Sequence, residues 1–154
     1  MFTDCRFDNV RFNASVHTDT AFTGCVFIRC NFFDSEFNGC KLVGSVFEES
    51  ALRPMRVLGG DWTLVGLAGA DLRGCTFQGV RMREVDLTGA NCAKSVLSDV
   101  DLSGAQLHNA RFAAADLRGS DLSALDPYHS DLAGTVIDAA QAVVLAGGLG
   151  ADVR

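Results

Sequence analysis

Every fifth residue from Phe2 to Ile137 is large and apolar. Of the 28 positions in this register, 26 are Phe, Leu, Ile, Val, Met, Trp or Cys, and only His17 and Pro127 depart from it. Ten of the eleven phenylalanines lie on it, with Phe33 alone outside. In a chain that is 48% apolar, chance would fill about half of these positions. A period of five belongs to neither a helix, at about 3.6, nor a strand, at 2, so the pattern is a repeat and is read before any local element is assigned. Two residues ahead of each large position the residue is Gly, Ala, Ser, Thr, Cys or Val in 25 of 27 cases, Met55 and Leu125 being the exceptions. Eleven of the sixteen glycines fall two residues after the large position. Each pentapeptide therefore reads small, polar, large apolar, polar, turn-like.

Composition removes several classes of function. A chain of 154 residues with net charge −6 is one domain of ordinary size. No run approaches the roughly 18 apolar residues of a membrane span, and the first fifteen residues lack the apolar stretch of a signal peptide. A cytoplasmic protein without a membrane role is expected. The acidic balance, 19 Asp and Glu against 13 Lys and Arg, opposes direct binding to nucleic acid and favours a basic partner. None of the six cysteines forms a Cys-x-x-Cys pair and only three histidines accompany them, so no metal or cofactor is expected. Cys5, Cys25, Cys30, Cys40 and Cys75 sit at the small position and Cys92 at the large one, where buried thiols act as small hydrophobes.

The segments Ala70-Asp71-Leu72-Arg73-Gly74 and Ala115-Asp116-Leu117-Arg118-Gly119 spell the repeat of the pentapeptide repeat family, which the chain resembles over residues 2 to 137. The resemblance implies an all-β fold: a right-handed quadrilateral β-helix, four pentapeptides to a turn, with the large and small residues inside. Each wall is then a short extended piece ended by a tight turn. Residues twenty apart stack as parallel strands about 4.8 Å apart, and between six and seven coils form a rod roughly 30 Å long with an interior too narrow for a ligand. Trp62 is expected in the core. Pro127, at an inward position, removes a ladder donor and is expected to bend the last coil. Ile28, Phe33 and Val43 occupy positions that should face outward.

After Ile137 the register ends. Asp138 followed by Gln141 has the form of a capping box and Gly147-Gly148 is a fitting stop, which predicts a helix at about 139 to 146. The chain accordingly divides into a rod, residues 1–137, and a C-terminal cap and dimerisation segment, residues 138–154. Val143, Val144 and Leu145 are more apolar groups than a solvated tail needs. With Ile137 and Ala140 they suit both a lid over the last coil and a symmetric dimer interface.

The charge is uneven. Residues 99–138 hold Asp99, Asp101, Asp116, Asp121, Asp126, Asp131 and Asp138 against Arg111 and Arg118, net −5, nearly the whole imbalance. Two rods joined tail to tail would bring two such zones together, at about one charge per 2 to 3 Å, near the one per 1.7 Å of duplex DNA. Asp101 and Asp121 are expected to stack on one face with Asp99 close by, although like charges directly opposite oppose sheet formation. The bland reading is that aspartate before leucine is simply part of the repeat and serves turns and solubility.

Within the family the chain is similar to the fluoroquinolone-resistance branch, the MfpA and Qnr proteins. Leu52-Arg53-Pro54, Asp61-Trp62-Thr63-Leu64-Val65, Met82-Arg83-Glu84, Leu125-Asp126-Pro127 and Val136-Ile137-Asp138 with Gln141-Ala142-Val143 carry that similarity. It implies a homodimer joined through the C-terminal helices that mimics DNA, binds DNA gyrase and modulates its activity and response to quinolones. Set against that branch, the chain is expected to start about one coil late, with a shorter arm, and to lack the outward loops of many Qnr proteins, as MfpA does. Asp99, Asp101, Asp116, Asp121, Asp126 and Asp131 are the expected contact residues. The alternative is an interaction rod of the same fold with another protein partner.

Catalysis is the poorest reading. His17 replaces an inward apolar residue with no Ser, Cys or carboxylate expected beside it, and His108 and His129 fall at outward positions. The glycines from Gly66 to Gly74 follow the register of five and are not followed by the Lys or Ser of a phosphate loop.

Overall fold

The computed structural model describes residues 1–154. The pentapeptides form the walls of a right-handed, four-sided β-helix in which residues twenty apart lie side by side as parallel strands. We number the walls by the first large residue of each: Phe2, Phe7, Phe12 and His17 begin the first to fourth. The fourth wall is the most regular, with Val16–Thr18, Ser35–Asn38, Met55–Leu58, Thr76–Gln78 and Val96–Ser98 in one five-stranded parallel sheet. The second wall holds a three-stranded sheet, Arg6–Asp8, Val26–Ile28 and Val46–Glu48, and the first a two-stranded one, Phe2–Thr3 and Phe22–Thr23. Beyond these, single parallel bridges carry the ladder, as in Lys41, Asp61, Arg81 and Asp101 down the first wall.

A square coil needs a sharp bend after every wall, and the fifth residue of the pentapeptide supplies it. Non-glycine residues such as Asp4, Leu64, Asp99 and Ala114 hold φ between 50° and 61° there. This is the left-handed region, which costs an ordinary residue about 1–2 kcal/mol and glycine almost nothing. The preference for glycine two residues after the large position follows directly.

Inside, the large residues stack in columns. Phe2 lies on Phe22 at 5.0 Å, Phe7 on Phe27 at 5.1 Å, Phe27 on Phe47 at 4.9 Å and Phe12 on Phe32 at 4.8 Å, their planes within 13°. The strand spacing of a parallel ladder, about 4.8 Å, sets this distance, and neighbours around a coil meet edge to face. Trp62 is fully buried in the column end of this cluster, parallel to Phe47 and edge-on to Phe37 and Phe77.

The small inward residues do more than leave room. Ser45 Oγ donates to the carbonyl of Phe22 at 2.6 Å and accepts the N–H of Cys25 at 3.0 Å, and Ser120 repeats this with Leu97 and Val100. Cys30 and Cys40 thiols donate to the carbonyls of Phe7 and His17, both at 3.3 Å. All six cysteines are free thiols, and five are buried. Burial raises the Cys75 thiol to about 11 and the Cys92 thiol to about 12.

Some expectations are corrected. Ile28 is not exposed at its outward position: it is buried, at 8% exposure, whereas Phe33 is exposed and Val43 half-buried. At Pro127 the second wall is interrupted. Pro127–His129 form a turn of 3-10 helix capped by Asp126, so the second-wall ladder, bridged as far as Gln106, is not continued there; bridging returns on the third and fourth walls at Asp131 and Val136. His17 has a partner after all: its Nε2 lies 2.9 Å from Ser15 Oγ, and its ring stacks on Phe37. The C-terminal helix runs Ala139–Gly148, through the glycines expected to stop it, and ends at Leu149.

Asp138 and Gln141 form the capping box in full. The Gln141 side chain is buried and donates to the carbonyls of both Leu117 and Ser120, so the helix start covers backbone acceptors that the last coil leaves open. Asp138 also accepts the N–H of Gly119 at 2.8 Å. Ile137 and Leu145 pack against the core, while Val143, Val144 and Leu149 are exposed and Ala140 stands at the surface. At the other end Phe7, Phe12 and His17 are half-buried and Phe2 is 42% exposed.

Candidate functional site

Because the chain visits each wall every twenty residues, charge is best counted by wall. The first carries five acids against three bases, and the second and fourth carry five against two each. The third is the reverse, with Arg11, Arg53, Arg73, Lys94 and Arg111 against Asp34, Asp71 and Asp131.

The six expected contact aspartates divide among these walls. Asp99, Asp101 and Asp121 come together: they line one shallow groove on the first wall and its corner, with Arg83, Ser103 and Gly119. Asp99 and Asp121 are exposed and Asp101 is half-buried. The left-handed backbone at Asp99 sets its carboxylate directly over Gly119, so a side chain there would have to displace it. The remaining three lie apart, Asp116 on the fourth wall, Asp126 on the second and Asp131 at the end of the basic third.

Several of these carboxylates are already engaged. Arg83 Nε lies 2.7 Å from Asp101 Oδ2, and Ser103 Oγ donates to Oδ1 at 2.6 Å. The Arg83 contact foremost, with Ser103, holds the Asp101 carboxyl at about 2. Arg118 pairs with Asp116 at 2.6 Å and His129 with Asp126 at 2.7 Å, each lowering its carboxyl. Asp138, lowered by backbone donors from Gln141 and Gly119, is a structural cap. Asp121 and Asp131 accept only backbone N–H groups, from Ser123 and Ala133. Sequence reasoning missed Arg83 because it lies 18 residues before Asp101; on the coil it is one step away on the same wall.

No group of His, Cys, Asp and Glu is arranged to hold a metal ion. The His17 imidazole, which burial makes harder to protonate, meets Ser15, and Ser15 Oγ lies 2.5 Å from the Phe12 carbonyl. Both side chains are half-buried. No helix is long and apolar enough to cross a membrane.

Comparison with known proteins agrees with the fold. The family model for pentapeptide repeats matches residues 5–48, 67–104 and 86–123, in eight copies. The chain belongs to the pentapeptide repeat family. The search of curated proteins finds no match. Among solved structures, a trypsin-treated variant of QnrB1, a plasmid-mediated fluoroquinolone resistance protein, is similar at TM-score 0.59 and 22% identity, covering 99% of this chain and 91% of that one. HetL, a pentapeptide repeat protein involved in heterocyst differentiation regulation from the cyanobacterium Nostoc sp. strain PCC 7120, aligns at TM-score 0.37 and 14% identity over 88% of this chain and 86% of its own. At 22% identity the likeness to QnrB1 is one of fold.

Proposed function

We propose that this pentapeptide repeat protein is a non-catalytic mimic of duplex DNA that binds DNA gyrase and modulates its activity and quinolone sensitivity. The observation that carries the reading is the convergence of Asp99, Asp101 and Asp121 on one exposed groove close to the C-terminal helix. Pairing two copies through Val143 and Val144, with Ala140 at the margin and Ile137 and Leu145 supporting the helix from below, would place two such grooves at the middle of a longer rod. Three net-negative walls on a slender prism present a basic DNA-binding saddle with a surface of the right sign, and binding would be competitive. The filled interior supports a role played on the outer surface. The QnrB1 likeness supports the fold on which such a role rests.

One observation favours the alternative of an interaction rod for a different protein. Asp101, Asp116 and Asp126 each have a cation or histidine beside them, which weakens the field a DNA-binding enzyme would meet. A gyrase supercoiling and cleavage assay with and without ciprofloxacin separates the two. The protein is titrated beside a variant carrying Asp99→Asn, Asp101→Asn and Asp121→Asn. Mimicry predicts inhibition or drug protection that the variant loses; equal behaviour of the two proteins removes the electrostatic mechanism.

A further inference from the structure

The third wall is the one face of the rod whose charge opposes that of the whole. Arg53, Arg73, Lys94 and Arg111 line a single groove there, with Asn91 among them and Asp131 at one end. Asp71 binds Arg73 through two bonds, at 2.7 and 2.8 Å, and Arg53 at 3.1 Å, so one carboxylate answers two guanidinium groups. Lys94 and Arg111 are exposed and take part in no ion pair. Asn91 Oδ1 accepts the N–H of Ala93, which leaves its amide N–H groups free to donate. Lys94, Arg111 and Asn91 thus offer unclaimed donors on neighbouring coils. Between them the surface is Gly74, Ala93 and Ala113, low enough for another chain to lie against.

We infer that this groove is a docking surface for an extended acidic polypeptide segment. Sign alone would also admit nucleic acid, but width decides between them. The basic strip is a single wall, and the walls on either side each carry three more acids than bases. A duplex sets its two strands across grooves of about 6 and 12 Å, so seating one strand on the strip brings the other over an acidic flank. An extended peptide is narrow enough to remain within the strip. Unpaired Lys and Arg on a low floor give it charge-assisted hydrogen bonds without first breaking an internal ion pair. The surface is distinct from the acidic groove, and the inference does not depend on what that groove binds.

The test is fluorescence anisotropy with fluorescein-labelled octaglutamate, run at low and high salt. The wild-type protein is compared with Lys94→Glu/Arg111→Glu and with a charge-matched control on the first wall, Lys41→Glu/Arg81→Glu. Circular dichroism checks each fold; Lys94→Gln/Arg111→Gln serves as a milder pair. The inference expects salt-sensitive binding that drops about tenfold or more in the third-wall variant and stays within about twofold in the control. Absence of octaglutamate binding, equal loss in both variants, or tighter binding of an unlabelled DNA oligonucleotide of similar length would overturn it.

Discussion

At the scale of single residues the fold is governed by how closely successive coils approach. Gly60 shows this most sharply: at φ 89°, a Cβ there would stand 2.2 Å from the carbonyl oxygen of Cys40 and 2.8 Å from its nitrogen. Backbone cannot step aside as a flexible side chain can. Gly60→Ala is therefore expected to destabilise the protein by about 2 kcal/mol or more. Gly69→Ala, with open space at φ 67°, should cost only the left-handed strain, about 1 kcal/mol. Thermal unfolding followed by circular dichroism ranks the two, and equal losses would contradict the close-approach argument. Asp101 supplies a second residue-scale expectation. Its carboxyl is held at about 2, below the ordinary 3.8, so the folded state gains from its ionisation above pH 4 and loses that gain as pH falls from 4 to 2. The urea midpoint should drop across that window, and Asp101→Asn should drop less. An unchanged pH profile in the variant would show that the Arg83 contact contributes nothing measurable.

The elements illustrate what a sequence of this type discloses and what it withholds. The walls, the corner glycines and the buried Trp62 were legible because the register of five forces each large side chain inward at every pass. The capping box was legible too, since Asp138 and Gln141 are close in sequence. The second use of Gln141, as donor to Leu117 and Ser120, was not, because it depends on where the helix comes to rest across the last coil. Position counting puts Ile28 on the outward side of its wall and says nothing of what covers it there, where it is buried. Arg83 and the third-wall bases were hidden by counting charge along the chain, when charges meet at a spacing near twenty. Substituting Gln141→Ala removes both donor bonds and half the capping box, leaving buried acceptors unpaired at about 1–3 kcal/mol. Hydrogen exchange should then show the helix amides of 142–148 opening well before those of the fourth-wall sheet. Unchanged helix protection would mean that Ile137 and Leu145 alone hold the lid.

For the whole molecule, the proposed function needs a rod, a partner copy and an acidic middle together. The exposed Val143 and Val144 make the partner copy directly testable. Sedimentation equilibrium is expected to give a dimer for the natural sequence and a folded monomer for Val143→Glu/Val144→Glu; a natural monomer would separate the acidic groove from the duplex-length mimic built on it. The central claim, that the acidic groove stands in for DNA, is tested most directly by displacement of a fluorescent duplex from gyrase. The account predicts that the protein displaces the duplex, less effectively as salt rises, and that Asp99→Asn/Asp101→Asn/Asp121→Asn weakens displacement about tenfold or more. Displacement that is indifferent to both salt and these three carboxylates, or no displacement at all, would contradict it.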